Sequence, residues 1–148
     1  MKKQEFMAMS LETGLKCIEP EFGLVNLNGI TKGSFYIEGV KCNTSIHKGT
    51  GIKPILHPLS DLTKEIEHGG EKFVPSIVLA EIWVNYGLEK QNTRSMKQTF
   101  YEFILIIEPV AYPFYLLKKL IEWHFDIAEL IAKGEAIDVN ELEINPYK

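Results

Sequence analysis

His57, Asp61 and Glu65 are the residues of this 148-residue chain whose types and spacing best suit chemistry. If the stretch around them is helical, Asp61 and Glu65 lie one turn apart and face the same way, with His57 just ahead of the helix N-terminus. An imidazole beside two carboxylates can exchange protons as a general acid–base pair. Yet no nucleophile, oxyanion-hole loop or cofactor motif accompanies them. The chain has no Walker loop, Rossmann glycine pattern, nucleophile elbow or H-E-x-x-H, so no residue is assigned a catalytic role and no cofactor is expected. Cys42 and His47, with Cys17 elsewhere, lack the paired spacings of a zinc site, and no metal is expected either. Ordinary capping and surface charge are the simpler use for Asp61 and Glu65.

Binding chemistry is the other candidate. The net charge of −4 is uneven: residues 100–148 hold nine acids against four lysines, whereas the first 99 residues carry a slight positive excess. From Lys41 to Leu59 there is no acid, only Lys41, His47, Lys48, Lys53 and His57. A second acid-free stretch carries Lys90, Arg94 and Lys97. Lys41, Lys48, Lys53, His57, Lys90, Arg94 and Lys97 are therefore the candidate binding residues, able to meet phosphate, although ordinary solvated loops are the simpler reading. Arg94 is the only arginine. That scarcity argues against a dedicated base reader, which needs the guanidinium fork.

The elements that must position these groups follow from hydrophobic patterning. At 45% hydrophobic and 24% charged, the chain has the composition of one folded domain spanning 1–148. No apolar run reaches the roughly 20 residues that cross a bilayer. The N-terminus lacks a signal-peptide core, so a cytoplasmic setting with two free thiols, Cys17 and Cys42, is expected. Residues 1–14 read as a short helix or frayed arm ended by Gly14. LKCIE, FGLVNL, GSFYIEGVKC and TSIHK, between Leu15 and Lys48, read as a small antiparallel meander with turn signals at Asn28-Gly29 and Lys32-Gly33.

Pro54 and Pro58 then keep the chain extended. Leu59, Leu62 and Ile66 give a helical stripe, capped by Ser60 or Asp61 and ended by Gly69-Gly70. A second helix is expected over Ser76–Tyr86, with Ile77, Leu79, Ala80, Trp83 and Val84 on its apolar face and Gly87 as its stop. Residues 97–110 suggest a buried strand, with a buried helix as the alternative that periodicity leaves open. The longest helix is expected from Pro113 to Lys133. Its dry face is Leu116, Leu120, Trp123, Ile127, Leu130 and Ile131, and its wet face is Lys118, Glu122, Asp126, Glu129 and Lys133. His124 should be a boundary residue with one hydrogen bond, Gly134 the stop, and EAIDVNELEINPYK a short strand or turn followed by a tail. These elements give an α+β class, a small N-terminal antiparallel β-meander packed with three helices, the longest near the C-terminus.

Two phrases carry a resemblance. KPILHPLSDLTKEIEHGGEKFVP at 53–75 and PFYLLKKLIEWHFDIAELIAKGEAIDVNEL at 113–142 resemble stretches of small, uncharacterised phage and prophage proteins of Bacteroidetes. The glycine-punctuated strands at 15–52 suit the N-terminal half of that group, and residues 76–112 are the least familiar part. The resemblance implies a setting, not a reaction, and brings no catalytic residues with it. It implies a non-catalytic accessory protein of the host cytoplasm that binds and inhibits a host defence component, such as an RNA-guided nuclease, in the manner of an anti-CRISPR protein. Its partner would be a defence protein or ribonucleoprotein effector, with contact to the effector's nucleic acid through the cationic stretches, or occlusion of a basic channel by the acidic C-terminal face. A minor virion or assembly protein, or a small enzyme using His57, Asp61 and Glu65, are the alternatives.

Overall fold

In the computed structural model the described residues are 1–31, 34–39, 42–47, 51–86 and 112–148, with the backbone alone for 42–47 and for Val84 and Tyr86. The expected strand at 97–110 and the stop at Gly87 lie outside them. So do Lys41, Lys48, Lys90, Arg94 and Lys97, the turn Lys32-Gly33, and the side chains of Cys42, His47 and Val84.

Alternating apolar residues build the meander as expected. β1 (Lys16–Glu19), β2 (Gly23–Thr31), β3 (Ser34–Gly39) and β4 (Cys42–His47) pair antiparallel in sequence order. Val25, Leu27, Phe35 and Ile37 point to one face and are buried there. Asn28-Gly29 is not a turn. β2 runs straight through it, and the register with β3 shifts between Leu27 and Gly29. With apolar alternation on both sides, the loosened dipeptide is absorbed as a bulge, and Asn28 Nδ2 donates to Glu38 across the pair at 2.8 Å. The N-terminal helix α1 (Lys3–Met9) is no frayed arm, because Phe6 and Met7 are fully buried against this sheet.

β5 (Lys53–Leu56) extends the sheet on the other side of β1, and the two-residue β8 (Ile137–Asp138) lies parallel beside β5. The order is β4-β3-β2-β1-β5-β8. Successive β5 side chains face opposite ways: Leu56 enters the core under α1, and Ile55 packs with Val139 and Tyr147 on the reverse face. Cys17 is a buried free thiol whose ionisation burial pushes up to about 12, so it behaves as a small apolar side chain.

The helix expected after Pro58 does not form. Leu59–Thr63 is a single 3₁₀ turn. The chain then makes a hairpin, β6 (Ile66–His68) and β7 (Glu71–Phe73), with Gly69 and Gly70 at φ of +62° and +82° as its two turn residues. Paired left-handed glycines make the tight two-residue turn whose twist matches the strands, so here they reverse a hairpin instead of ending a helix. The Leu62 and Ile66 stripe is still buried, with α2 (Pro75–Tyr86) and α3 (Phe114–Glu122) around it. α2 agrees with expectation at Leu79 and Ala80, but Ile77 is exposed. Trp83 and Trp123 pack half-buried against the same cluster.

The long C-terminal helix is cut short. α3 ends at Glu122, so α2 is the longer of the two. His124 follows at φ +58°. The backbone N–H of His57 donates to His124 O at 2.8 Å, and Asp126 N–H donates back to His57 O at 2.9 Å. Strand-like pairing with His57 thus takes the groups a continuing helix would have used. Asp126, expected on the wet face, is buried, and its carboxylate accepts from Leu130 N and Ile131 N at 2.7 and 2.8 Å. It caps a fresh turn that Gly134 closes. The final residues are no free tail. The Tyr147 hydroxyl donates to Ile55 O at 2.7 Å and accepts from Lys16 N at 3.1 Å.

Removing that hydroxyl leaves a buried carbonyl and a buried N–H without their partner. Tyr147→Phe is expected to destabilise the protein by about 1–3 kcal/mol in urea unfolding. A loss below about 0.5 kcal/mol would show that the C-terminus is not held through this group.

Candidate functional site

His57 is positioned by the strand it ends. β5 delivers it, the bridge to Phe125 holds its backbone, and Pro58 keeps it extended before the 3₁₀ turn. That turn places Asp61 four residues later on the same side. Asp138 accepts from Asn140 N at 2.8 Å and so starts a second 3₁₀ turn, Val139–Glu141. This turn aims Asn140 back at Asp61.

The result is a cleft of about 240 Å³ lined by His57, Asp61, Lys64, Glu65, Ile66, Glu67, Val139, Asn140 and Asn145. Asp61 is only 3% exposed. One carboxylate oxygen accepts from Lys64 Nζ at 2.8 Å and the other from Asn140 Nδ2 at 2.7 Å. It does not cap a helix, contrary to the sequence expectation, because its partners come from side chains. Glu65 reaches the same cleft from the strand-bound side of the turn and is exposed. The structure therefore brings His57, Asp61 and Glu65 together, without the helical spacing that suggested it.

His57 Nδ1 is 3.8 Å from the Asp61 carboxylate, too far for a hydrogen bond. The ring is 2% exposed, and neither nitrogen has a hydrogen-bond partner among the described residues. Burial lowers its pKa, against the opposing pull of Asp61 and Asp138, and keeps it neutral. Of the other candidate binding residues, Lys53 is half-buried in β5 and does not line the cleft.

Sequence reasoning missed a second feature. His57, His68 and His124 surround the ring of Tyr147. His68 and His124 stack on it with centroids 5.3 and 4.3 Å away, and His57 is tilted at 6.2 Å. His124 makes one hydrogen bond, to Thr13 Oγ1 at 2.9 Å, but is 1% exposed and not a boundary residue. Burial, then the neighbouring His57, lowers the His68 pKa to about 4. Burial, then His68 and His57, lowers that of His124 to about 3. The only signal for this cluster was four histidines in a short chain, since residues 57, 68, 124 and 147 share no local spacing. Among the described residues no three His, Cys, Asp or Glu side chains converge to hold a metal ion. None of the described helices is long and apolar enough to cross a membrane.

These imidazoles make stability depend on pH with a definite sign. Their folded pKa values lie below the unfolded value of 6.5, so on acidification the unfolded chain takes up protons first. Stability from this source is complete above about pH 6.5 and declines as the pH falls through about 4 and about 3. Urea midpoints measured between pH about 7.5 and about 4.5 should fall, and His124→Asn, which tolerates the left-handed backbone there, should flatten the decline. An unchanged slope in that variant would exclude His124 as its source.

Comparison with protein families, with curated proteins and with solved structures finds no match for this chain.

Proposed function

We propose that this chain is a non-catalytic phage or prophage accessory protein, working in the cytoplasm of a bacterial host, that binds and inhibits a host defence component such as an RNA-guided nuclease. The observation that carries the reading is where the two resembling stretches meet. His57, from 53–75, pairs through its backbone with Phe125, from 113–142. Asp61, from the first stretch, accepts a hydrogen bond from Asn140 of the second. The cleft is thus built almost wholly from the two segments that carry the resemblance.

Its groups suit holding better than turnover. Each oxygen of Asp61 already accepts one hydrogen bond, His57 is buried with a lowered pKa, and no serine, threonine or cysteine is among the residues lining the cleft. A partner surface meets the cleft by hydrogen bonding and charge, which set specificity and register in protein complexes. The cationic residues Lys41, Lys48, Lys53, Lys90, Arg94 and Lys97 remain the candidates for touching nucleic acid carried by such an effector.

A small enzyme centred on His57, Asp61 and Glu65 is the second reading, favoured by their common cleft. On that reading Glu65→Gln, at an exposed side chain, abolishes an activity while leaving the fold intact. On the binding reading the exchange at Glu65 only weakens inhibition, because Asp61 and Glu67 still line the cleft.

The test is capture of partners by the tagged protein from a lysate of its natural host, with and without nuclease, followed by inhibition assays on what is captured. A defence effector retained after nuclease and inhibited by the purified protein is the expected result. Enrichment lost on nuclease treatment would assign the contact to nucleic acid. Neither binding nor inhibition of any defence effector, or recovery of the chain in purified particles instead, would overturn the proposal.

A further inference from the structure

We infer that the cleft beside His57 receives an arginine side chain presented by the partner. This rests on the reading above that the chain acts by binding, and it names the chemistry of the contact.

Three carboxylates, Asp61, Glu65 and Glu67, line the cleft against one ammonium, Lys64. Lys148 adds a distant contact to Glu67 at 3.7 Å. The acidic lining alone would be unremarkable, but His57 gives an independent indication. Its ring lines the cleft while 2% exposed, and both nitrogens are buried without a hydrogen-bond partner among the described residues. Buried polar atoms are nearly always paired, because leaving one unpaired costs most of its desolvation energy. A neutral imidazole offers one acceptor nitrogen, and its two nitrogens cannot both be satisfied by a carboxylate. What completes this set is a ligand that donates several hydrogen bonds and carries positive charge.

A guanidinium group fits that description better than an ammonium. It presents five N–H donors in a flat fork, which can span a carboxylate and a neighbouring acceptor together, and it loses less on desolvation. Each Asp61 oxygen has one hydrogen bond already and retains acceptor capacity. Glu65 is exposed at the cleft and has no ion-pair partner among the described residues. Lys64, whose side chain is 63% exposed, now holds Asp61 and is the group an incoming guanidinium displaces.

Acetyl-arginine amide, titrated into the full-length protein and followed through backbone amide NMR shifts, tests this directly. Saturable shifts confined to residues 57–67 and 139–145 are expected, with acetyl-glutamate amide producing none. Glu65→Gln should weaken binding by about threefold or more, and Lys64→Ala should strengthen it, since removing the resident cation frees Asp61. Both side chains are exposed, and because Lys64 also meets an oxygen of buried Asp61, the amide spectrum of each variant before titration must match that of the wild-type fold. The absence of saturable shifts, equal affinity in wild type and both variants, or equal affinity for acetyl-lysine amide would overturn the inference. The titration involves no host protein. A positive result with failed partner capture would sink the defence role and leave the arginine site standing, and the reverse result would do the opposite.

Discussion

The structure depends on the short strand Lys53–Leu56 and the histidine that follows it. This segment is gripped on one edge by β1 and on the other by β8 and the bridge to Phe125. It is where the N-terminal meander meets the C-terminal half of the chain. Leu56 and Ile55 drive into separate apolar clusters on opposite faces, and the Tyr147 hydroxyl bonds to the Ile55 carbonyl from beneath. Fixing this one strand therefore closes the sheet, ends α3 and brings both 3₁₀ turns of the cleft within reach of each other. Parallel pairing of residues about 80 apart in sequence carries a substantial loop-closure cost, which buried Leu56, Phe125 and Tyr147 offset.

The polar groups around that strand divide into two kinds. Asp126 and Asp61 are buried with their oxygens met by donors, as buried carboxylates must be. Around Tyr147, His57 and His124 are buried and His68 is half-buried, each with a buried nitrogen left over. A neutral ring tolerates this far better than a charged one, so burial and low proton affinity go together. The lowered proton affinity of these rings sets the sign of the expected loss of stability on acidification. His57 belongs to both sets: it abuts the aromatic cluster on one side and the acidic cleft on the other. A binding site placed there stands on a fixed sheet edge, which holds its groups in place before a partner arrives.

Legibility followed the range of the interactions. The first three strands of the meander and the helix Pro75–Tyr86 were readable because each buries one face of a regular period, and the period is local. The helix expected at 59–66 shows how that logic fails. Leu59, Leu62 and Ile66 are buried or half-buried as a stripe should be, yet a 3₁₀ turn followed by a strand buries them equally well. Three residues do not distinguish the two, and Gly69-Gly70 serves either as a stop or as a hairpin turn. The long helix failed for a different reason. Its pattern over 113–133 is genuinely helical, but the backbone of His57 competes for the carbonyl of His124 and the amide of Asp126. A partner 67 residues away in sequence leaves no trace in the local pattern.

The site divides along the same line. Residue identity and local pattern were enough to establish which groups were available: an imidazole and carboxylates at 57–67, an acidic C-terminal half, and an α+β arrangement with a meander at its N-terminus. Side-chain type and short-range periodicity suffice for that, because both are carried by neighbouring residues. Folding was needed to hold Asp61 by Asn140, to bury His57 and to gather three histidines around Tyr147. These outcomes come from long-range backbone pairing and from which faces are hidden together, and desolvation, which sets the charge of each group, exists only once the chain has folded.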